Sequence, residues 1–294
     1  MIYAITGVTG KVGAEVAHAL LTSGASVRAV LRDARKAGRW IERGCEIALA
    51  DMTDAAALEA AFTGVDGVFV LLPPNFDPSP GYPELKVILS ALKSALLAAR
   101  PSKVICLSTV GAQVSTENLL ETLGIMEQTL AELPLSIAFL RPAWFLENCA
   151  WDIAPAKQTG IIPSFLQPLD KAFPMVAVRD VARVAAELLR EVWRGRRVVE
   201  LEGPRRVSPN DIAAAFSTLL GRPVRAAAVP RETWPASFPA QGMKNPMPRV
   251  RMLDGFNEGW IDFEAGVVGS LKGTTSLESV IEALLRESEL TPSP

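Results

Sequence analysis

The stretch Ile2-Tyr3-Ala4-Ile5-Thr6-Gly7-Val8-Thr9-Gly10-Lys11-Val12-Gly13 runs from an apolar strand pattern, through three spaced glycines, into a helical pattern. The spacing GxxGxxG at a strand-to-helix junction suits a dinucleotide. Gly7 allows the tight turn after the strand. Gly10 lets the backbone approach a pyrophosphate, and Gly13 lets the helix pack closely on the strand. Backbone N–H groups at the helix start then face negative phosphates. Thr9 and Lys11 add a hydroxyl and a charge, and Val12 completes the turn. A purely structural glycine turn is the alternative.

The next strand ends Val30-Leu31-Arg32-Asp33-Ala34-Arg35-Lys36. A site selective for NAD wants a carboxylate at this tip, for the ribose hydroxyls. The tip here carries Arg32, with Arg35 and Lys36 close behind. Guanidinium groups match a 2′-phosphate in charge and in two-pronged geometry, which favours NADP(H). Asp33 either serves the ribose or caps the next helix. After the third strand, Asp51 can accept a bond from an adenine amino group and Met52 can lie on the ring. Alternatively, Asp51 or Thr53 only caps the helix that follows.

The first 140 residues alternate short apolar runs with amphipathic stretches. Strands are expected at Ile2–Thr6, Ser26–Leu31, Glu46–Leu49, Gly67–Leu72, Lys103–Ser108 and Ser136–Leu140. Helices are expected at Gly10–Thr22, Ala34–Glu42, Asp54–Phe62, Glu84–Ala99 and Asn118–Glu132. Strands apolar on both faces indicate a parallel sheet covered on both sides. The fold class is therefore α/β, a Rossmann-type doubly wound parallel sheet with a smaller C-terminal α/β subdomain on the substrate side. The expected domains are 1–150 for the coenzyme and 151–294 for the substrate, with a strand near 197–201 rejoining the main sheet. In the second part, helices are expected at Val178–Glu191, after the cap Ser208-Pro209, near Lys244–Glu258 and at Leu277–Arg286. Residues 289–294 read as a frayed end.

Composition excludes several classes. With 30 basic and 32 acidic residues the net charge is −2, too near neutral to attract nucleic acid or an acidic membrane. No apolar run approaches the roughly 20 residues of a membrane span, and no signal segment precedes the first strand. A cytoplasmic location follows as an expectation. Cys45, Cys106 and Cys149 show no ligand spacing and read as small buried hydrophobes. One histidine cannot build a His-rich metal site, and no metal is expected. That residue, His18, lies about 200° round its helix from Val16, on the solvent side.

Several segments together resemble the NmrA-like branch of the atypical short-chain dehydrogenase/reductase superfamily, near its NADPH quinone and azo reductases. They are Thr6 through Gly13, Leu31-Arg32-Asp33, Ala50-Asp51, Leu71-Leu72-Pro73-Pro74, Leu107 through Ala112 and Leu140 through Asn148. Val178 through Ala182, Leu201 through Pro204 and Ser208 through Val224 continue the match. The resemblance implies that Leu72 and Pro73 line the coenzyme and that Ser108 sits near the nicotinamide. It implies that Pro142, Ala143, Trp144 and Phe145 wall the nicotinamide and its ribose. For Ser108 the alternative is a strand-end hydroxyl bonded to backbone. For Trp144 and Phe145 it is core packing.

Ketone-reducing members of that superfamily use a Tyr with a Lys four residues on, after the fifth strand. Here residues 111–133 contain neither, and no tyrosine follows Tyr82. Tyr82-Pro83-Glu84-Leu85-Lys86 spells the spacing, but ahead of the fourth helix in a proline-rich loop. Tyr82 and Ser108 are thus weak catalytic candidates, with Glu147 and Asn148 as other polar groups on the substrate side. Hydride delivery to a simple ketone leaves an alkoxide about as basic as hydroxide, and without a positioned acid its barrier is high. A quinone leaves a phenolate-type anion of pKa about 10, which takes its proton from solvent. The expected function is NADPH-dependent reduction of quinone-like or other conjugated acceptors. A non-catalytic, NADP-sensing regulator is the alternative, and a sugar-nucleotide epimerase is disfavoured by the same missing pair. A small molecule is the expected partner, with a second copy of the chain and a regulatory protein left open. Trp234, Phe238, Met243, Met247 and Trp260 stand as either pocket or core.

Overall fold

The computed structural model describes residues 1–290. Strands are β1 (Ile2–Thr6), β2 (Ser26–Leu31), β3 (Glu46–Leu49), β4 (Gly67–Val70), β5 (Lys103–Leu107), β6 (Ile137–Pro142), β7 (Trp144–Phe145), β8 (Ile161–Ser164), β9 (Met175–Val176), β10 (Arg196–Glu202), β11 (Arg225–Ala228) and β12 (Leu271–Lys272). Helices are α1 (Lys11–Thr22), α2 (Gly38–Ile41), α3 (Ala55–Phe62), α4 (Pro83–Ala99), α5 (Glu121–Ala131), α6 (Ile153–Gln158), α7 (Val178–Arg190), α8 (Pro209–Leu220), α9 (Trp234–Ala240), α10 (Met247–Glu258), α11 (Gly266–Gly269) and α12 (Leu277–Leu290). Eight strands form one sheet in the order β12-β10-β6-β5-β4-β1-β2-β3. Its neighbours run parallel, as in β1 with β2, β1 with β4, and β5 with β6. The expected Rossmann-type α/β class is the observed one.

The chain divides into two compact units that interleave in sequence. The first comprises Met1–Ala112, Leu120–Arg141 and Val181–Val199, and the second comprises Gln113–Leu119, Pro142–Asp180 and the chain from Glu200 on. Residue 150 therefore lies within the second unit. The strand anticipated near 197–201 is β10, which stands beside β6.

In the first unit, strands buried along their length carry the core: β4 is buried at all four positions. Val68, Val70, Val104, Cys106 and Phe139 pack with Leu89, Leu92 and Leu96 of α4 and Phe62 of α3. Residues with no polar surface on either face can only be sheet interior, which is why the pattern was legible. The anticipated helix 34–42 is instead a short 3-10 turn at Ala34–Lys36 followed by the four-residue α2. Gly38 disfavours a continuous helix there.

Gly7 and Gly13 set the first turn. Gly7 has φ +68°, a left-handed conformation that favours glycine. A Cβ on Gly13 would lie 2.5 Å from the Gly7 carbonyl carbon and closer still to its oxygen. The Thr6 hydroxyl fastens the end of β1 to the chain leaving β4: it accepts from Leu71 N at 2.8 Å and lies 3.2 Å from Phe69 O.

In the second unit, β7 pairs with β9, β8 with β11, and the last residues of β10 with β12, all in parallel. The small strands escaped sequence reading because Pro163 marks a loop, yet a two-stranded edge tolerates it. Ser208 caps α8 as expected, in a full capping box with Asp211. Phe165 lies 5.6 Å from Trp234 and 5.4 Å from Phe238, and both partners are fully buried. Trp234 and Phe238 are thus core. α12 carries on through Glu289 and Leu290, and the remainder of the anticipated frayed end, 291–294, lies outside the described residues. No described helix is long and apolar enough to cross a membrane.

Gly13→Ala is expected to lower stability by about 1–3 kcal/mol, the usual penalty for overpacking. An unchanged urea midpoint would contradict the close approach of helix and turn.

Candidate functional site

The start of α1 is built to leave its N–H groups open. Gly10 is the N-cap, no side chain caps the helix, and its first turn holds no acidic residue. Such an end carries partial positive charge. Thr9, Gly10 and Lys11 are exposed around it, while Val8 and Val12 are buried. Gly10 differs from its two neighbours in the motif. A Cβ there would meet only Gly7 O, at 3.5 Å, an ordinary contact. The fold therefore requires glycine at 7 and 13 but not at 10, where the open space lies outward.

Three cations were anticipated beside this loop, and the structure separates them. Arg35 is turned onto Asp33 in a two-pronged pair, Nε to Oδ1 and Nη2 to Oδ2, both 2.9 Å. Those bonds hold the Asp33 carboxyl below its usual range and raise the Arg35 guanidinium. Asp33 also caps the 3-10 turn through Arg35 N. Arg35 is thus neutralised by the very aspartate that made the tip ambiguous. Arg32 is exposed and makes no hydrogen bond or ion pair among the described residues. Its charge reaches both Asp33 and Asp51. Sequence reasoning missed Arg39, whose Nη2 donates to Val8 O at 3.0 Å and brings a guanidinium to the glycine turn. No spacing rule points to it, because its placement depends on how α2 folds back.

Asp51 does not cap α3. Asp54 does, accepting from Ala56 N and Ala57 N. Asp51 closes a tight turn instead, accepting from Thr53 N at 3.0 Å and Thr53 Oγ1 at 2.7 Å. The Thr53 bonds lower its pKa. Met52 and Leu72 are half-buried and Pro73 is exposed in the loop after β4.

The two hydroxyls considered as acids share one fate. Ser108, at the end of β5 and 3% exposed, donates to Glu127 Oε1 at 2.5 Å. Tyr82, at the N-cap of α4, donates to Glu121 Oε2 at 2.8 Å. Both acceptors lie on α5, the helix that would carry the Tyr and Lys. Glu127 is in turn gripped by Arg141, Nε to Oε1 at 2.9 Å and Nη2 to Oε2 at 2.6 Å, with all three residues buried. Ser108 therefore bonds a carboxylate, not backbone, and its oxygen is left to accept hydrogen bonds. His18 is exposed, and the three cysteines are free and buried. No cluster among the described residues could hold a metal ion.

In the second unit, Ala143 is buried and donates its N–H to Leu201 O at 2.8 Å. Pro142 is buried at the end of β6. Trp144 and Phe145 are half-buried in β7, and the Trp144 ring meets Phe256 edge-on at 5.3 Å. Glu147 accepts from Val178 N at 2.9 Å and so holds the start of α7. Asn148 is half-buried. Four residues on, Asp152 is half-buried with no hydrogen bond or ion pair among the described residues, and burial pushes its pKa up to about 7. The sequence gives no sign of that carboxyl, since only packing desolvates it.

Comparison with known proteins places these features in context. The family profile described as NmrA-like family matches residues 2–268. An NAD(P)H azoreductase of Xenophilus azovorans is 28% identical over 277 residues, covering 92% of each chain. Quinone oxidoreductase 2 of Escherichia coli is 27% identical, covering 75% of each. The crystal structure of Citrobacter sp. triphenylmethane reductase complexed with NADP(H) superposes with a TM-score of 0.79, at 20% identity, covering 96% of this chain and all of that one.

Glu127→Gln is expected to destabilise the protein by about 3–5 kcal/mol, because it leaves the Arg141 charge buried and unpaired. A denaturation midpoint like that of the unaltered protein would refute the buried pair. Asp152 carries the opposite sign. Its folded pKa lies above the unfolded value, so it withdraws stability as pH rises from about 4 to 7. Asp152→Asn should therefore gain on the unaltered protein across that window and stay ahead at pH 8. Parallel stability curves would contradict the burial of the carboxylate.

Proposed function

The chain belongs to the NmrA-like family, and from that premise we propose that it is an NADP(H)-dependent oxidoreductase for quinone-like or other conjugated acceptors. The observation that carries the reading is the uncapped start of α1, opened by the left-handed Gly7 and the bare Gly13. The outward space at Gly10 fits a diphosphate approaching the backbone. Relatives with NAD(P)H azoreductase and quinone oxidoreductase activity support the reaction class.

When bound, NADPH supplies the hydride. The chain supplies position and charge. Gly7, Thr9, Gly10, Lys11 and Val12 hold the diphosphate at the helix start. Arg32, with Arg39 at the glycine turn, answers the 2′-phosphate, while Arg35, expected there from its position, stays on Asp33; Asp51 and Met52 take the adenine. Leu72 and Pro73 line the coenzyme, and Ser108 accepts a bond beside the nicotinamide. Pro142, Ala143, Trp144 and Phe145 form its wall. Because the Tyr82 and Ser108 protons are engaged by Glu121 and Glu127, neither residue serves as an acid. An electron-poor acceptor suits that arrangement, since its reduced anion is protonated by water. The reducing cytoplasm suits three free, buried thiols. The proposed partner is a small-molecule acceptor.

Steady consumption of NADPH across a panel of quinones is the expected result. Arg32→Glu should weaken NADPH about tenfold or more while changing NADH far less, as measured by calorimetry. No turnover across the panel would contradict the reductase assignment, and equal losses for both coenzymes would contradict the role of Arg32.

A further inference from the structure

The turn between α7 and β10 concentrates charge that the chain as a whole does not carry. Residues 190–197 hold four arginines, Arg190, Arg194, Arg196 and Arg197, against one acid, Glu191, a local charge of +3 in a chain of net charge −2. Lys103 adds a further cation beside them, donating to Glu191 O. Arg197 is engaged locally: it pairs with Glu191 at 3.4 Å and lies 5.1 Å from the centre of the Trp193 ring. Arg190 ends α7, where a cation suits the last carbonyls of the helix. Arg194 and Arg196 are different. Both are exposed, and neither side chain has a hydrogen bond or ion pair among the described residues. The turn that presents them is fixed, since buried Trp193 donates its Nε1 to Leu188 O at 2.9 Å and Ile137 N donates to Gly195 O at 3.0 Å.

The same residues lead into a strand edge without a neighbour. β10 has seven residues, but β12 pairs only with Leu201 and Glu202. Successive residues of a strand turn their main-chain groups to opposite sides. Gly195 O accepts from Ile137 of β6, whereas Glu202 O accepts from Gly273, on the β12 side. The odd-numbered positions therefore face β6, and the N–H and C=O groups of Arg196 and Val198 face away from it. Both residues are exposed, Val198 by 47%. An open edge is a template for another strand. Its arginines oppose a second copy of the chain, because self-pairing would set like charges against each other. They favour a strand of opposite charge.

We propose that the first half of β10 is a docking edge for an extended acidic segment of another protein, which adds to the sheet as a strand. The main-chain groups of Arg196 and Val198 supply the new ladder. Arg194, Arg196 and Arg197 meet carboxylates in charge-assisted bonds, and Val198 meets an apolar side chain. The edge opens at the amino-terminal rim of the sheet. The glycine turn follows the carboxyl end of β1, at the other rim, so a docked segment leaves the start of α1 open.

The test is residue-resolved hydrogen exchange of the full chain with a blocked hexapeptide of two valines followed by four glutamates, which pairs antiparallel with this edge. At a peptide concentration about ten times its Kd, exchange at the Arg196 and Val198 amides should slow about tenfold. The same peptide with lysines for glutamates should not protect them, and high salt should weaken the glutamate peptide. N-methylation at alternate peptide nitrogens, which removes ladder donors, should weaken it about tenfold or more. Arg196→Glu and Val198→Pro should each lose the peptide and keep a cooperative urea transition, since a proline on an outward-facing edge position removes no bond to β6. Absence of protection by the glutamate peptide, or equal protection by the lysine peptide, would overturn the proposal. So would undiminished binding after N-methylation, which would leave charge without a strand. A dimer that Arg196→Glu dissociates would give the edge to a second copy, and protection by phosphatidylserine vesicles but not by the peptide would give it to a membrane. Either result rejects the acidic segment.

Discussion

The close approach of α1 to the turn that precedes it underlies the rest of the structure. Gly13 has no side chain, so the helix rests against the Gly7 carbonyl, and Gly7 turns left-handed to point the chain there. Thr6 locks that corner to the chain leaving β4. With the corner fixed, the first N–H groups of α1 have a definite direction and no side chain of their own to satisfy them. A helix start in that condition favours an anion within its first turn. Arg39 brings its guanidinium to this turn through Val8 O, and Arg32 is exposed at the end of β2.

The second constraint is what α5 carries. Residues 111–133 hold neither tyrosine nor lysine, and α5 carries Glu121 and Glu127, which accept hydrogen bonds from the hydroxyls of Tyr82 and Ser108. Glu127 is itself secured by Arg141, so the arrangement is part of the buried framework. Under the proposed reductase reading, such a site would orient a hydride donor and acceptor but would not supply a proton to a poor acceptor. Acceptors whose reduced anions are weakly basic are the ones such a framework can serve.

Much of the fold was legible because its signals are local. Strands apolar on both faces, the glycine spacing at residues 7, 10 and 13, and the cap at Ser208 each depend on neighbours within a few positions. What escaped depends on distant packing. Arg39 reaches Val8 only because α2 folds back, and Arg35 is lost to Asp33 by a side-chain choice that residue order does not dictate. Trp234 and Phe238 could be core or pocket until their burial was seen, and the raised pKa of Asp152 comes from desolvation alone. The interleaving of the units belongs to the same class, since α7 begins in one and continues in the other.

Gly10 offers the most direct measurement, because it separates what the fold needs from what a ligand needs. With only an ordinary contact awaiting a Cβ, Gly10→Ala should change the unfolding free energy read by urea denaturation by no more than about 1 kcal/mol. Its affinity for NADPH by calorimetry should fall about tenfold or more. Unchanged affinity would contradict a diphosphate seated at the start of α1.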